Sequence, residues 1–246
     1  MPRRLGVERP AIGTFVNLGS PLVTEICAMA GFDWLLVDLE HGAGGEEALV
    51  GQTLAAAAHD VPLFVRVESV ERIRVGRVLD LGVAGVMIPR IEDASEARRV
   101  ARWARYPPDG ERGVATYNRA CGFGTRPEVL LTANDDVTVI LQIETSGALA
   151  DVEQIAATEG VDALFVGPRD LTHALEVPGD IDAPVYRKAL ERVAAAAADH
   201  GIAAGILARD RAAADRYAAA GFGLLAIGSD SGFLMDGARQ AVGVGA

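Results

Sequence analysis

Short apolar runs alternate with longer amphipathic stretches along most of the chain. Eight runs have the length and apolar composition of buried strands: residues 11–16, 34–37, 63–67, 85–88, 139–143, 163–166, 203–207 and 224–227. Most are separated by segments with helical periodicity, such as residues 46–59, 95–106, 184–200 and 211–220. Gly31, Gly201 and Gly221 each stand just before a strand, where a glycine commonly ends a helix.

This alternation of strands and helices predicts one α/β domain, residues 1–246, folded as a (β/α)8 TIM barrel. No linker rich in proline, glycine or serine divides the chain. The alternative is a doubly wound open sheet, which normally has fewer strands and a glycine-rich phosphate loop after the first one. Residues 13–20 contain no GxGxxG sequence, and the barrel is therefore favoured.

Two segments go beyond a minimal barrel. Residues 107–137 form a connection longer than the roughly 12–15 residues usual in a compact domain, which predicts a lid or a subunit interface. Residues 230–246 end the chain, and a terminal helix is expected over residues 230–242. Its Phe233, Leu234 and Met235 are expected to pack on this barrel or on a partner.

Polar residues collect where the fifth and sixth apolar runs end. The fifth run contains Gln142 and is followed by Glu144, while the sixth is followed by Gly167, Pro168, Arg169 and Asp170. Side chains alternate along a strand, so Gln142 and Glu144 point the same way. Two carboxylates beside an amide at neighbouring strand ends predict a site for a hard divalent cation.

Further polar residues follow the second and third runs. Asp38, Glu40 and His41 follow the second run, and Arg66 ends the third. His41 is either an ordinary loop histidine or a base that a carboxylate orients beside the metal site. Arg66 either pairs with a core carboxylate or stabilises a developing oxyanion. Their position at strand ends, where barrel enzymes carry their catalytic groups, favours the catalytic interpretation.

Composition excludes several classes of partner. The net charge of -11 argues against nucleic acids and anionic membranes, which both require a basic surface. The arginine cluster between residues 98 and 105 is more typical of a solvated helix face or a subunit contact. Cys27 and Cys121 lack metal or redox spacing. The first eight residues have no apolar signal core, and a cytoplasmic protein is predicted.

Lysine restricts the chemistry further. The chain has a single lysine, Lys188, in the middle of a predicted helix. A Schiff-base enzyme needs its lysine inside the pocket, so neither imine chemistry nor a pyridoxal-phosphate linkage is expected. Carbanion chemistry would therefore depend on a metal ion.

Four motifs follow one another along the chain: Asp38-Leu39-Glu40-His41-Gly42, Tyr106-Pro107-Pro108-Asp109-Gly110 followed by Arg112-Gly113, Gln142-Ile143-Glu144-Thr145, and Gly167-Pro168-Arg169-Asp170-Leu171. In this order they resemble the HpcH/HpaI aldolase family. The likeness spans nearly the whole chain. These are class II pyruvate aldolases, such as 4-hydroxy-2-oxoheptanedioate aldolase and 2-dehydro-3-deoxyglucarate aldolase. The resemblance implies a homohexamer, a trimer of dimers in which neighbours exchange the last helix.

The resemblance also implies roles for individual residues. Glu144 and Asp170 would hold Mg²⁺, Mn²⁺ or Co²⁺, with Gln142 and the backbone of residues 167–170 gripping the 2-oxo acid. His41 would be the base and Arg66 would stabilise the enolate, with Asp38 and Glu40 as support. Asp80 would raise the basicity of the histidine, within one subunit or across two. Arg169 stands where the family usually has a small residue, and residues 228–231 depart from the usual Val-Asp-Thr run.

The implied activity is reversible aldol cleavage of a 4-hydroxy-2-oxo acid to pyruvate, or a related 2-oxo acid, and an aldehyde. One alternative uses the same enolate in oxaloacetate decarboxylation. A second is cleavage of a CoA thioester, as in citrate-lyase β-like proteins, although no basic pocket for a CoA diphosphate is evident. A third is a non-catalytic barrel that binds an acidic metabolite.

Overall fold

Eight parallel strands close into a barrel in a computed structural model that describes residues 6–243. Each strand pairs with the next along the chain, and β8 closes the barrel against β1. The strands are β1 (Ala11–Val16), β2 (Trp34–Asp38), β3 (Leu63–Arg66), β4 (Gly85–Ile88), β5 (Thr138–Ile143), β6 (Ala163–Val166), β7 (Ala203–Ala208) and β8 (Leu224–Ser229). The predicted (β/α)8 architecture is confirmed, and the open-sheet alternative is wrong because no edge strand is left.

Helices and turns connect successive strands. The helices are α1 (Pro21–Met29), α2 (Glu46–Ala57), α3 (Arg72–Asp80), α4 (Ala94–Trp103), α5 (Ala133–Asp136), α6 (Ser146–Ala150), α7 (Val152–Ala156), α8 (Pro168–Ala174), α9 (Pro184–Asp199), α10 (Arg211–Ala219) and α11 (Asp230–Ala241). The three glycines predicted to end helices all have positive φ, between 65° and 94°. Among residues 6–243, no helix combines the length and apolar character needed to cross a membrane.

The barrel interior is filled by large rings beside glycines. Trp34 and Phe165 are fully buried and pack edge to face, 6.5 Å apart. A Cβ on Gly13 would lie 2.2 Å from the Trp34 ring, and one on Gly205 would lie 2.5 Å from Phe165. The interior is therefore a packed core.

Strand alternation continues this interior face up to the site. Along β2, Trp34 and Leu36 belong to the interior core and Asp38 follows them on the same face. Arg66 follows Phe64 on β3 in the same way, and Asp38 and Arg66 are register partners. The pairing of β2 with β3 thus places the Asp38 carboxylate beside the Arg66 guanidinium at the carboxyl ends of the strands.

Residues 107–137 pack along the outside of the barrel beside α3. The Asp80 carbonyl accepts the Ala120 N–H at 3.1 Å, and the Leu81 carbonyl accepts from Arg119 at 2.8 Å. Four apolar side chains of this segment are more than 60% exposed: Val114, Tyr117, Phe123 and Leu131. The expected terminal helix forms as α11, and residues 244–246 of the predicted segment lie outside the described residues.

Candidate active site

A cavity of about 550 Å³ opens at the carboxyl ends of the strands. It is lined by residues from both sides of the barrel mouth: Phe15, Asn17, Asp38, His41, Arg66, Gln142, Phe165, Gly167, Pro168, Arg169, Asp170, Thr172, Gly179, Ile181, Leu207, Ala208, Arg209, Gly228 and Ser229. Most of the residues singled out from the sequence are in this set. The size suits a small metabolite, since pockets of roughly 300–1,000 Å³ bind such ligands.

Gln142 and Glu144 point the same way from the end of β5, as alternation predicts. The Gln142 amide nitrogen donates to Glu144 Oε2 at 3.0 Å, and the backbone N–H of Arg90 donates to Glu144 Oε1 at 2.8 Å. Both side chains are almost fully buried. Glu144 is therefore held by one contact from its own strand and one from the loop after β4.

Glu144 lies in a negative environment. Burial, and then the charges of Asp170 and Glu40, raise the pKa of its carboxyl, against the lowering effects of the Arg90 N–H and of Arg66. A Cβ on Gly167 would come within 2.6 Å of Glu144 Oε2, so this glycine leaves room beside the carboxylate. A cation placed here would relieve the repulsion among these acids.

Arg66 is buried and paired while it also lines the cavity. Its Nε and Nη2 donate to the two Asp38 oxygens at 2.9 and 2.7 Å, and its Nη1 lies 3.1 Å from Glu40 Oε2. Its guanidinium carbon lies 5.3 Å from the centre of the Phe15 ring. Burial opposes ionisation of Asp38, but the hydrogen bonds and charge of Arg66 hold the pKa of that carboxyl below its usual value. Both interpretations of Arg66 therefore have a structural basis.

His41 sits on the loop after β2, and Glu40 is the carboxylate beside it. Glu40 Oε2, the oxygen that contacts Arg66, lies 3.8 Å from His41 Nε2. Asp38 Oδ1 accepts the backbone N–H groups of Glu40 and His41 at 3.1 and 3.2 Å. The imidazole itself is largely exposed. Asp38 thus anchors the start of a loop that presents His41 to the cavity.

Asp80 lies away from this cavity in its own chain. It is the last residue of α3, which runs from the carboxyl end of β3 towards the amino end of β4, and it pairs with Arg112 at 2.8 Å. Residues 107–137 do not line the cavity of their own chain either. An action of Asp80 across subunits and an interface formed by residues 107–137 both stay predictions.

The α8 start brings Arg169 and Asp170 to the cavity rim. Gly167 precedes the helix, Pro168 is its first residue, and Asp170 lies in the first turn, where a carboxylate is favoured by the helix dipole. Both Arg169 and Asp170 are exposed, and neither makes an ion pair within residues 6–243. The only lysine, Lys188, is exposed on α9 and does not line the cavity.

Some contacts and residues at the site were not identified from the sequence. The Arg90 contact uses a backbone N–H in a residue with φ of 54°, which leaves no side-chain signature. Phe15 is the penultimate residue of β1, and Asn17 directly follows that strand. The strand has an ordinary apolar sequence, which gives no sign of a site. Arg209 follows β7 as a charged strand-end residue, so the same signal that marked Arg66 would have marked it.

The donor set fits a divalent cation of the oxygen-preferring kind. Gln142 Oε1 is buried and has no hydrogen-bond partner within residues 6–243. Among residues 6–243 no group of three or more His, Cys, Asp or Glu side chains is arranged for a metal. A cation at Glu144 and Asp170 would therefore complete its shell with water and substrate, as Mg²⁺ commonly does.

Comparison with known proteins places the chain in a family. The model of the HpcH/HpaI aldolase/citrate lyase family matches residues 11–237. The chain is 43% identical to a hydroxypyruvate/pyruvate aldolase of Paraburkholderia phytofirmans, over 97% of this chain and 94% of that protein. It is 39% identical to a 5-keto-4-deoxy-D-glucarate aldolase of Klebsiella pneumoniae, over 93% and 89% of the two chains.

Solved structures agree with this assignment. An HpcH/HpaI aldolase/citrate lyase family protein from Burkholderia cenocepacia superposes with a TM-score of 0.92 at 42% identity, covering 96% of this chain and 94% of the other. The HpcH/HpaI aldolase of Desulfitobacterium hafniense gives a TM-score of 0.91 at 31% identity, covering 99% and 95%. The sequence, the closed barrel and these relatives together show that the chain belongs to the HpcH/HpaI aldolase/citrate lyase family.

Proposed function

We propose that the protein is a divalent-metal-dependent, class II aldolase that reversibly cleaves a 4-hydroxy-2-oxo acid to pyruvate, or a related 2-oxo acid, and an aldehyde. The observation that carries the proposal is that Asp170, Gln142, Arg66 and His41 line one cavity. Glu144 lies just behind this lining, where it accepts from Gln142 and is influenced by the charge of Asp170. The two curated relatives act as aldolases, and the hydroxypyruvate named for one of them makes a 3-hydroxy donor a second candidate.

Glu144 and Asp170 would hold the Mg²⁺, Mn²⁺ or Co²⁺ ion, which when bound supplies Lewis-acid polarisation of the 2-oxo acid. Gln142 and the backbone of residues 167–170 grip the 2-oxo acid from the β5 and β6 strand ends. This places the substrate carbonyl beside Arg66. The remainder of the substrate, with its 4-hydroxyl, extends towards His41 and the cavity mouth.

Arg66 stabilises the negative charge that develops on the carbonyl oxygen as the C3–C4 bond breaks, its electron pair forms the C2–C3 double bond, and the carbonyl π pair moves to that oxygen. Its contacts with Asp38 and Glu40 engage three nitrogens, and a guanidinium has five N–H donors, so donors remain for a substrate oxygen. Because Asp38 binds both Nε and Nη2 of the guanidinium, the charge of Arg66 is positioned before the reaction begins. Losing one such preorganised donor commonly costs on the order of 10²–10³ in rate.

His41 removes the proton from the 4-hydroxyl during cleavage and returns it during synthesis. Glu40 Oε2 lies 3.8 Å from Nε2 and would orient the imidazole once the two groups close to hydrogen-bond distance. Exposure lets the ring exchange its proton with solvent. The enolate left after cleavage is protonated at C3 by solvent and becomes pyruvate, with C3 as its methyl carbon. Replacing His41 by alanine is expected to lower turnover by about 10²-fold or more while metal affinity stays unchanged.

Pyruvate release coupled to lactate dehydrogenase tests the proposal. We expect release from 4-hydroxy-2-oxo acids with Mn²⁺ or Mg²⁺ and none after EDTA treatment. Release from oxaloacetate alone would favour a decarboxylase. Metal binding without release from any substrate would overturn the aldolase assignment and favour the thioester-lyase or metabolite-binding alternative.

We also propose a homohexamer with exchanged terminal helices. Within α11 only Asp230 is buried, and Phe233, Leu234 and Met235 are between 41% and 65% exposed. On α1, Leu22, Ile26 and Met29 form a second exposed apolar row at helical spacing. Both faces are apolar and exposed, so their burial between neighbouring copies would be favourable. This supports the association of several copies.

A further inference from the structure

Asp230 is a buried carboxylate just outside the proposed catalytic set. It is 3% exposed, and no arginine, lysine or histidine of residues 6–243 pairs with it. Its oxygens accept the backbone N–H groups of Asn17 at 2.9 Å, Leu18 at 3.1 Å and Ser231 at 2.8 Å. Burying a carboxylate without a cation is costly, and three backbone donors offset that cost. The carboxylate thus fixes the loop after β1 to the junction of β8 and α11.

The loop after β1 in turn holds the loop that carries His41. The Asn17 carbonyl accepts the backbone N–H of Ala43 at 2.7 Å. Ala43 ends the histidine loop, residues 38–43, whose other end is fixed where Asp38 binds Arg66 and the His41 N–H. The histidine loop is therefore anchored at both ends, and its second anchor depends on a peptide that Asp230 holds.

Glycines bring these two loops together backbone to backbone. Gly19 has φ of 64°, and a Cβ on it would lie 2.7 Å from Gly44 Cα. A Cβ on Gly42 would lie 3.1 Å from the Asn17 carbonyl oxygen. The backbones of the two loops are in direct contact at these glycines, so a shift of the loop after β1 would move the histidine loop as well.

We propose that Asp230 is a positioning residue that sets the placement of His41 through Asn17 and Ala43. The proposal rests on the proposed aldolase function for its kinetic consequence. It assigns to the β8–α11 junction a role in proton transfer, although no atom of Asp230 touches the reacting groups.

Two reactions that share one enolate separate this role from general support of the fold. Aldol cleavage needs a base for the 4-hydroxyl proton. Oxaloacetate decarboxylation breaks its C3–C4 bond with loss of CO₂, leaves the electron pair in the enolate and removes no hydroxyl proton. We expect Asp230→Ala to lower the kcat of aldol cleavage by about 10- to 100-fold, in line with the effect of a misplaced catalytic group. Decarboxylation should fall by less than about threefold, since it does not use the base.

Asp33→Ala is the matched control. Asp33 also grips a strand through a backbone N–H, that of Ile12 at 2.8 Å, but it precedes β2 at the opposite end of the barrel. It should alter stability without changing the ratio of the two rates. In a His41→Ala background, Asp230→Ala should cause no further loss of cleavage, because groups that act through one another are not additive. If Asp230→Ala fails to fold, Asp230→Asn, which keeps one acceptor, decides the ratio.

Hydrogen exchange of the resting protein tests the link without turnover. Asp230→Asn should speed exchange in peptides covering residues 38–45 by about tenfold, and Asp33→Ala should leave them unchanged. Equal losses in both reactions, or unchanged exchange in residues 38–45, would overturn the proposal. Absence of any turnover in the wild type would refute the aldolase function, and the exchange result would then judge the positioning role alone.

Discussion

Glu144 is held in a position that disfavours its own charge. Its pKa is raised by burial and by neighbouring carboxylates, so the ionised side chain destabilises the metal-free fold as the pH rises through that pKa. Stability and the proposed metal binding therefore make opposite demands on this residue, which is common where charge is concentrated for catalysis.

Replacing Glu144 with glutamine should make this conflict measurable. With EDTA present at pH 7, Glu144→Gln is expected to melt no lower than the wild type. The amide carries no charge, and a turn of the Gln142 amide would exchange its Nε2 for Oε1, which can accept the new N–H. With Mn²⁺ at about 100 times its Kd, the wild type should gain about 2.7 kcal/mol and the variant none. Differential scanning fluorimetry checks both, with Glu191→Gln on α9 as a control. A variant that melts lower in EDTA would contradict the account.

Arg169 should influence the choice of aldehyde. It lines the cavity and has no ion-pair partner within the described chain, so its charge is available to a carboxylate on the acceptor. Arg169→Ala should lower kcat/KM for 4-oxobutanoate about tenfold relative to 4-methylpentanal, its neutral counterpart of equal size. Arg187→Ala, on the exposed face of α9, is the control. A gain with the neutral aldehyde and no loss with the acid would show that Arg169 acts by bulk.

Residues differ in how far the sequence reveals them. The alternation of β5 places Gln142 beside Glu144, and the pairing of β2 with β3 places Asp38 beside Arg66, so side-chain types and strand period suffice. The Arg90 N–H contact depends on backbone dihedrals that the side chain does not encode. Asp230 is 213 positions from Asn17, and only closure of the barrel brings them together.

At the scale of elements, an ion-pair cluster connects α2 to α3. Glu46 starts α2 and contacts Arg74 and Arg77 of α3, while Arg74 also pairs with Glu68 at 2.7 Å. The hydrogen bond from Arg77, opposed by slight burial and reinforced by both guanidinium charges, lowers the pKa of Glu46 to about 2. The Arg77 and Glu68 side chains are 63% and 42% exposed, so solvent screens part of the contribution of the cluster.

Glu46→Gln should therefore destabilise the fold modestly, by about 0.5–1 kcal/mol, and lower Tm by about 1–3 °C at low salt. Because the folded pKa is depressed from 4.5, the contribution is present above pH 4.5 and is lost as the pH falls towards 2. Glu47→Gln is the control, because it also removes a negative charge from the first turn of α2 but breaks no ion pair of this cluster. It should lower Tm by less than Glu46→Gln does. Equal Tm values for both variants, at any salt concentration, would assign the effect to the dipole.

The ends of helices could be predicted from the sequence where a particular residue type sets the boundary. Gly31, Gly201 and Gly221 end helices because their positive φ is accessible to glycine. Helices α6 and α7 were not specified individually, since both are only five residues long and show no full period. The path of residues 107–137 depends on contacts with α3 that no local pattern encodes.

At the scale of the whole molecule, assembly should depend on α11. Leu234 is 65% exposed in the single chain, and the proposed exchange would bury it. Leu234→Asp should shift the mass measured by light scattering from hexamer to smaller species at micromolar concentration, because a buried unpaired charge is costly. Arg239→Asp, on the same helix, controls for charge alone. An unchanged hexamer, or a monomeric wild type, would contradict the proposed arrangement.

The position of Lys188 has a practical consequence. Its side-chain amine has no counterpart elsewhere in the sequence and stands exposed on α9, remote from the cavity lining. Amine-directed reagents would attach a dye, a surface or a polymer at one defined place among the side chains. Attachment there would leave the cavity lining itself unmodified, which suits immobilised synthesis and fluorescence labelling.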